Sequence, residues 1–281
     1  MSGYKQNLKV LCDMLEWQLE AGIDECIVDE PTNQLVASPI AKKRSNRSIS
    51  ATSESNDVAI NNTHSAVYEI NRTIDPHTIG SHTEYTKTKS LALSCSNLAE
   101  LESAVNHFEG CSLKNTATNT VFSDGNSQAN IMFIGEAPGA DEDLKGKPFV
   151  GPSGQLFDKM IGSIGFKRQD VYITNLVFWR PPGNRNPTTN EIAICFPFVQ
   201  RQIELLAPDV LVLLGGAASK AILDVSQGIT RLRGKWHSYE IQSIKKVIPA
   251  MPFFHPAYLL RSPIHKREAW IDLLSIKDVM D

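Results

Sequence analysis

The sequence predicts an α/β fold: a three-layer α/β/α sandwich around a central four-stranded parallel sheet. Two observations carry that expectation. Short apolar runs alternate with segments of helical period through residues 91–281, the order expected of strands joined by crossover helices. One run, 209–215 (DVLVLLG), is almost entirely apolar, as a strand buried on both faces must be.

Taken in order, the chain divides into three zones. In residues 1–34, Leu8, Leu11, Leu15 and Leu19 recur at three- and four-residue steps and stop near Gly22, which predicts a helical N-terminal segment. Residues 35–90 are rich in Ser, Thr, Asn and Lys, with isolated hydrophobes of no sustained period. Such a stretch buries too little apolar surface to offset chain entropy and reads as a disordered linker. Residues 91–281 form the expected compact domain. Its first strand, 131–135, ends in glycine, and a helical pattern follows at 154–164. A second strand, 171–175, ends in Thr-Asn. The next helix, 189–206, opens with Thr188 and Thr189 ahead of Glu191, a capping-box start. Strand 209–215, helix 217–223 and strand 248–254 complete the alternation.

Bulk properties narrow the classes. The net charge of −3 hides an asymmetry: residues 1–110 carry 9 Lys+Arg against 15 Asp+Glu, whereas 111–281 carry 19 against 16. The basic half is therefore able to approach an anion although the whole chain is acidic. No apolar run is long enough for a membrane span, and the N-terminus lacks the apolar core of a secretory signal. Cysteines at 12, 26, 95, 111 and 195 are too few and scattered for a disulfide framework, so a reducing, cytoplasmic setting is expected.

The unusual residues gather at strand ends. Gly135-Glu136-Ala137-Pro138-Gly139 follows the first strand. Asn175 ends the second, with Arg180 to Arg185 (RPPGNR) close behind. Gly215-Gly216 ends the third, and His255 opens HPAYLLR after the fourth. Open α/β sheets bind ligands at the carboxyl ends of their strands, so these motifs predict one site.

The ordered motifs GEAPG, GKPFVGPSGQL, YITN with RPPGNR, and HPAYLLR resemble those of the family 4 uracil-DNA glycosylases. The likeness runs from about Cys111 to the C-terminus. It implies hydrolysis of the N-glycosidic bond of uracil in DNA, with no lyase step because no lysine is clearly placed for a Schiff base. Uracil-containing DNA would be the partner, engaged by a monomer with no membrane involved. A base buried in a duplex must be flipped out to be reached. By resemblance, Phe149 would stack on it, the Asn175 amide would read its edge, and His255 would donate to its O2. Gly135, Glu136 and Ala137 would line the pocket. Superfamily relatives place an aspartate where this chain has Ala137. Water handling then falls to Glu142, with Glu136 lining the pocket. Leu259 and Leu260 would wedge into the stack, and Arg261 would hold a phosphate. Arg180, Arg185, Lys235, His265, Lys266 and Arg267 are further phosphate candidates.

The chain departs from the family at its cofactor. Members typically hold a [4Fe–4S] cluster through C-x2-C and C-x15-C. Cys111 and Cys195 keep one position of each pair, while Phe108 and Trp179 occupy the others. Neither aromatic side chain is a ligand, so no cluster and no other cofactor are expected. Phe108 and Trp179 are expected to fill the cluster's volume instead. Between Gly139 and Phe149 there is no histidine-bearing insertion, which argues against a covalent uracil trap. The alternative reading is a uracil-DNA or single-strand binding module with little turnover. A general nucleotide-binding domain is disfavoured, because neither GxxxxGK[ST] nor GxGxxG is present.

Overall fold

The structure is a computed structural model, and it describes residues 79–281, with side chains from residue 84. The expected N-terminal helix and the linker up to residue 78 lie outside the described residues. The last part of the expected linker is not a linker: residues 79–90 belong to the helix Ile79–Ser94. That helix packs on the helix Thr189–Leu206 and buries Thr88 and Ala92.

The four expected strands are present as β2 (Ile131–Gly135), β3 (Tyr172–Asn175), β4 (Val210–Leu214) and β6 (Lys246–Phe253). They run parallel in the order β3-β2-β4-β6. The sheet is wider than expected. A two-residue strand β1 (Asp124–Gly125) adds antiparallel to β3, and β5 (His237–Ile241) adds antiparallel to β6, giving six strands.

Alternation along the buried strands sends neighbours to opposite faces. Met132 and Ile134 join Leu211 and Leu213 in one apolar cluster with residues of the helices Leu98–His107, Thr189–Leu206 and Gly216–Leu223. Ile131 and Phe133 join Val210, Val212 and Leu214 in another, with the helices Pro152–Ser163 and Lys266–Met280. Both faces of the sheet are therefore covered, which explains why β2 and β4 carry no polar side chain. The chain passes from β2 to β3 on one side and then to β4 on the other. This reversal opens a crevice at the strands' carboxyl ends.

Candidate active site

A cavity of about 520 Å³ occupies that crevice. Glu136 and Ala137 from the turn after β2 line it, together with Glu142, Phe149, Asn175, His255, Arg185 and Arg261. Gly135, Arg180, Leu259 and Leu260 are not among the lining residues.

Gly135 acts through what it lacks. A Cβ there would lie 2.3 Å from Asn175 Oδ1 and 2.7 Å from the Phe149 ring. The missing side chain thus leaves a slot between an aromatic ring and an amide. Asn175 is 1% exposed, and its Oδ1 has no hydrogen-bond partner. The only other such buried side-chain atom among the described residues is His237 Nε2. An unsatisfied buried acceptor costs about 1–3 kcal/mol, so its persistence beside a cavity points to a ligand donor.

Phe149 is clamped from two sides. Its backbone is left-handed, with φ of 53°, a conformation costly for a bulky side chain. Glu142 accepts from the N–H groups of Val150 and Gly151, each at 2.9 Å, and from Gly139 N at 3.1 Å. From the other side, Arg168 donates to the carbonyls of Pro148 and of Phe149, the latter at 3.0 Å. Arg168 is itself held by Asp124 at 2.6 Å and Asp158 at 2.8 Å. Gly154 completes the clamp, since a Cβ there would lie 2.0 Å from the Phe149 carbonyl oxygen. Sequence reasoning missed Arg168; nothing in the local run FKRQD distinguishes it from a surface cation.

His255 sits at the N-cap of the helix Pro256–Arg261, and its Nδ1 accepts from Ala257 N at 3.1 Å. Its ring centroid lies 5.6 Å from that of Phe149. Burial, reinforced by the charge of Arg261 and opposed by that of Glu142, pushes its pKa down to about 4. The ring is therefore neutral at pH 7. With Nδ1 accepting, its proton sits on Nε2.

The two candidate acids differ in their surroundings. Both Glu142 oxygens receive backbone N–H groups, so this residue braces the turn that carries Phe149. Among the described residues, no hydrogen bond reaches the Glu136 carboxylate. Burial raises its pKa from the ordinary glutamate value.

The expected DNA-contacting residues need revision. Leu259 is no wedge: it is fully buried in the core, because the HPAYLLR segment is a helix with Pro256 and Leu259 on its inward side. Leu260 is 44% exposed, and Arg261 is exposed. The Arg185 guanidinium forks onto Glu191 at 2.7 and 2.8 Å, and Arg180 donates to Asn184 at 2.6 Å. Both arginines organise the RPPGNR loop. Lys266 is buried, and His265 packs against Tyr258.

Cys111 and Cys195 do meet, with Sγ atoms 4.0 Å apart and both side chains buried. Phe108 packs on Trp179 at 6.5 Å between centroids and on Phe198 at 5.2 Å. Two thiols beside a packed aromatic cluster do not fit a four-iron group, which needs four ligands. Among the described residues, no three His, Cys, Asp or Glu side chains are grouped to hold a metal ion. No described helix is long and apolar enough to cross a membrane.

Residues 122–274 match the profile of the uracil DNA glycosylase superfamily. The chain is similar to the type-4 uracil-DNA glycosylase of Archaeoglobus fulgidus, 42% identical over 173 residues, covering 60% of this chain and 86% of that protein. It is also similar to the type-4 enzyme of Saccharolobus solfataricus, 38% identical over 189 residues (66% and 87% of the two chains). The type-4 enzyme of Thermotoga maritima is 44% identical over 153 residues (54% and 77%). The match spans more than half of the chain and the whole crevice, and this protein belongs to the uracil-DNA glycosylase superfamily.

Proposed function

We propose that this protein hydrolyses the N-glycosidic bond of uracil in DNA, releasing uracil and leaving an abasic site. The observation that carries the reading is the unpartnered Asn175 Oδ1 in the slot beside Phe149. Uracil presents an N3–H donor next to the O4 acceptor, which complements an amide's oxygen and NH2. Cytosine reverses both groups and would leave the buried amide mismatched, which is the basis of strong discrimination. Phe149 offers its ring to the flipped base.

As the glycosidic bond breaks, negative charge develops on uracil and positive character on the sugar. Neutral His255 donates from Nε2 to the uracil oxygen and stabilises that charge without carrying a charge of its own. Glu136, desolvated and without a hydrogen-bond partner, orients the attacking water and takes its proton. This moves the water-handling role away from Glu142, whose oxygens already hold the Phe149 turn. The two assignments separate by mutation. Glu136→Gln is expected to lower turnover roughly 10²-fold or more with the fold unchanged. Glu142→Gln is expected to lower stability by about 1–3 kcal/mol, because its NH2 would face backbone donors. Turnover rates and thermal melts of the two variants check this, and the reverse pattern would return the base role to Glu142.

A uracil-containing oligonucleotide, incubated with the protein and then treated with alkali, tests the activity itself: strand breaks at the uracil position are expected. Binding without alkali-labile product would instead favour the non-hydrolytic module that Ala137 makes conceivable.

The protein works, in our reading, without its family's iron. Phe108 and Trp179 close the volume where two ligands would stand, and the pair Cys111 and Cys195 alone cannot complete a cluster. Protein purified without oxygen is expected to carry no stoichiometric iron and no broad visible absorbance. Four irons per chain would overturn this.

A further inference from the structure

The fold leaves one of the two adjacent leucines in HPAYLLR at the surface, Leu260. A second aliphatic side chain stands four residues on. Ile264 is 84% exposed, the most exposed large hydrophobic side chain among the described residues. Single exposed hydrophobes are ordinary on protein surfaces and need no explanation by themselves. What distinguishes Ile264 is the turn that carries it and the groups around it.

The 3-10 turn Pro263–His265 is fixed to the wall of the active-site cavity. The His265 ring stacks on Tyr258 with centroids 5.3 Å apart and meets Phe254 at the same distance. Its Nδ1 pairs with Glu268 Oε2 at 2.9 Å. Tyr258 and Phe254 both line the cavity, as does Arg261, three residues before Ile264. Chain geometry keeps the Cα of Ile264 within about 11 Å of that of Arg261. The isoleucine is therefore held near the rim of the pocket, on a rigid support. Exposed Arg261 precedes it and exposed Arg267 follows it. An apolar side chain flanked by cations complements nucleic acid, whose base steps are apolar and whose edges are lined by phosphate.

We propose that Ile264 is a second apolar DNA contact, acting beside Leu260, and that the pair directs the enzyme to duplex DNA. The proposal rests on the glycosylase reading. Extracting a base from a duplex leaves both a gap in the stack and an unpaired base opposite. Leu260 fills the gap, and Ile264 presses on the neighbouring base step. A single strand has no such gap to hold open, so the second contact gains nothing there.

The test measures uracil release from one oligonucleotide, used single-stranded and annealed opposite guanine. Ile264→Ser is expected to lower the duplex rate about tenfold, the scale of losing one aliphatic burial. The single-strand rate is expected to stay within about twofold, as the chemistry is untouched. Such an exposed position leaves the melting temperature unchanged. Ile271→Ser, on the outer face of the C-terminal helix and 58% exposed, should alter neither rate. An unchanged duplex rate, or an equal fall on both substrates, would overturn the proposal alone. No release from either substrate by the natural protein would overturn the glycosylase reading, and this proposal with it.

Discussion

Replacing His255 by alanine is expected to lower uracil release by roughly 10²–10³ while the fold survives, the usual effect of deleting one preorganised donor to a developing oxyanion. The effect depends on where the ring proton sits. Ala257 N–H occupies Nδ1, so the neutral ring presents Nε2–H to the pocket. The pH dependence follows from the pKa of about 4. In an unfolded chain histidine titrates near 6.5, so acidification protonates the unfolded state first. The stability this contributes is complete above the unfolded value and is lost as pH falls from about 6.5 toward about 4, by at most about 3 kcal/mol. Two measurements check this. The rate profile of the natural protein should show no inflection at the ordinary histidine pKa, and the His255→Ala variant should lose less stability between neutral and mildly acidic pH. A rate limb near pH 6.5 that vanishes in the variant would mean that a charged histidine takes part.

The second large effect is expected from the smallest addition. Gly135→Ala places a methyl group 2.3 Å from Asn175 Oδ1 and 2.7 Å from the Phe149 ring. Neither neighbour is free to retreat: Asn175 is buried at the end of β3, and Phe149 is held by Glu142 and Arg168. The methyl group therefore enters the space proposed for the base. A displacement of about an ångström at a reacting centre costs on the order of 10²-fold, and loss of at least that size is expected in turnover of uracil-DNA. Affinity for DNA that already contains an abasic site should change little, because no base enters the slot there. Retained turnover in this variant would show that the base binds elsewhere.

The inner sheet was legible because buried parallel strands must be apolar on both faces, and runs such as DVLVLLG have few alternatives. The edge strands were not. β1 is only Asp124–Gly125, and β5 (HSYEI) is alternately exposed, so neither stands out from a loop. The helix Ile79–Ser94 was hidden for a related reason. Its Thr- and Lys-rich sequence has almost no apolar stripe, and among its described side chains Thr88 and Ala92 are the buried ones.

At the site, the residues that meet the cavity were readable from motif and strand-end position: Glu136, Phe149, Asn175 and His255. Their supports were not. In the acidic run Asp141-Glu142-Asp143, both Glu142 and Asp143 are buried, and Asp143 accepts from Thr118 N at 2.8 Å. Thr118 lies 25 residues from Asp143, and a partner so distant in sequence leaves no local signal. Leu259 and Leu260 show the opposite difficulty. Adjacent residues on a helix point about 100° apart, so two neighbouring leucines cannot share one outward job.

The shortest strand of the sheet has an effect out of proportion to its size. Asp124, in β1, grips the same arginine that holds the Phe149 carbonyl, so the ring's position derives from the sheet edge. Ordering a mobile side chain on binding costs about 0.5–1.5 kcal/mol. A ring already fixed avoids that loss of entropy, so in the proposed reading binding of the flipped base gains the full attraction of the stack.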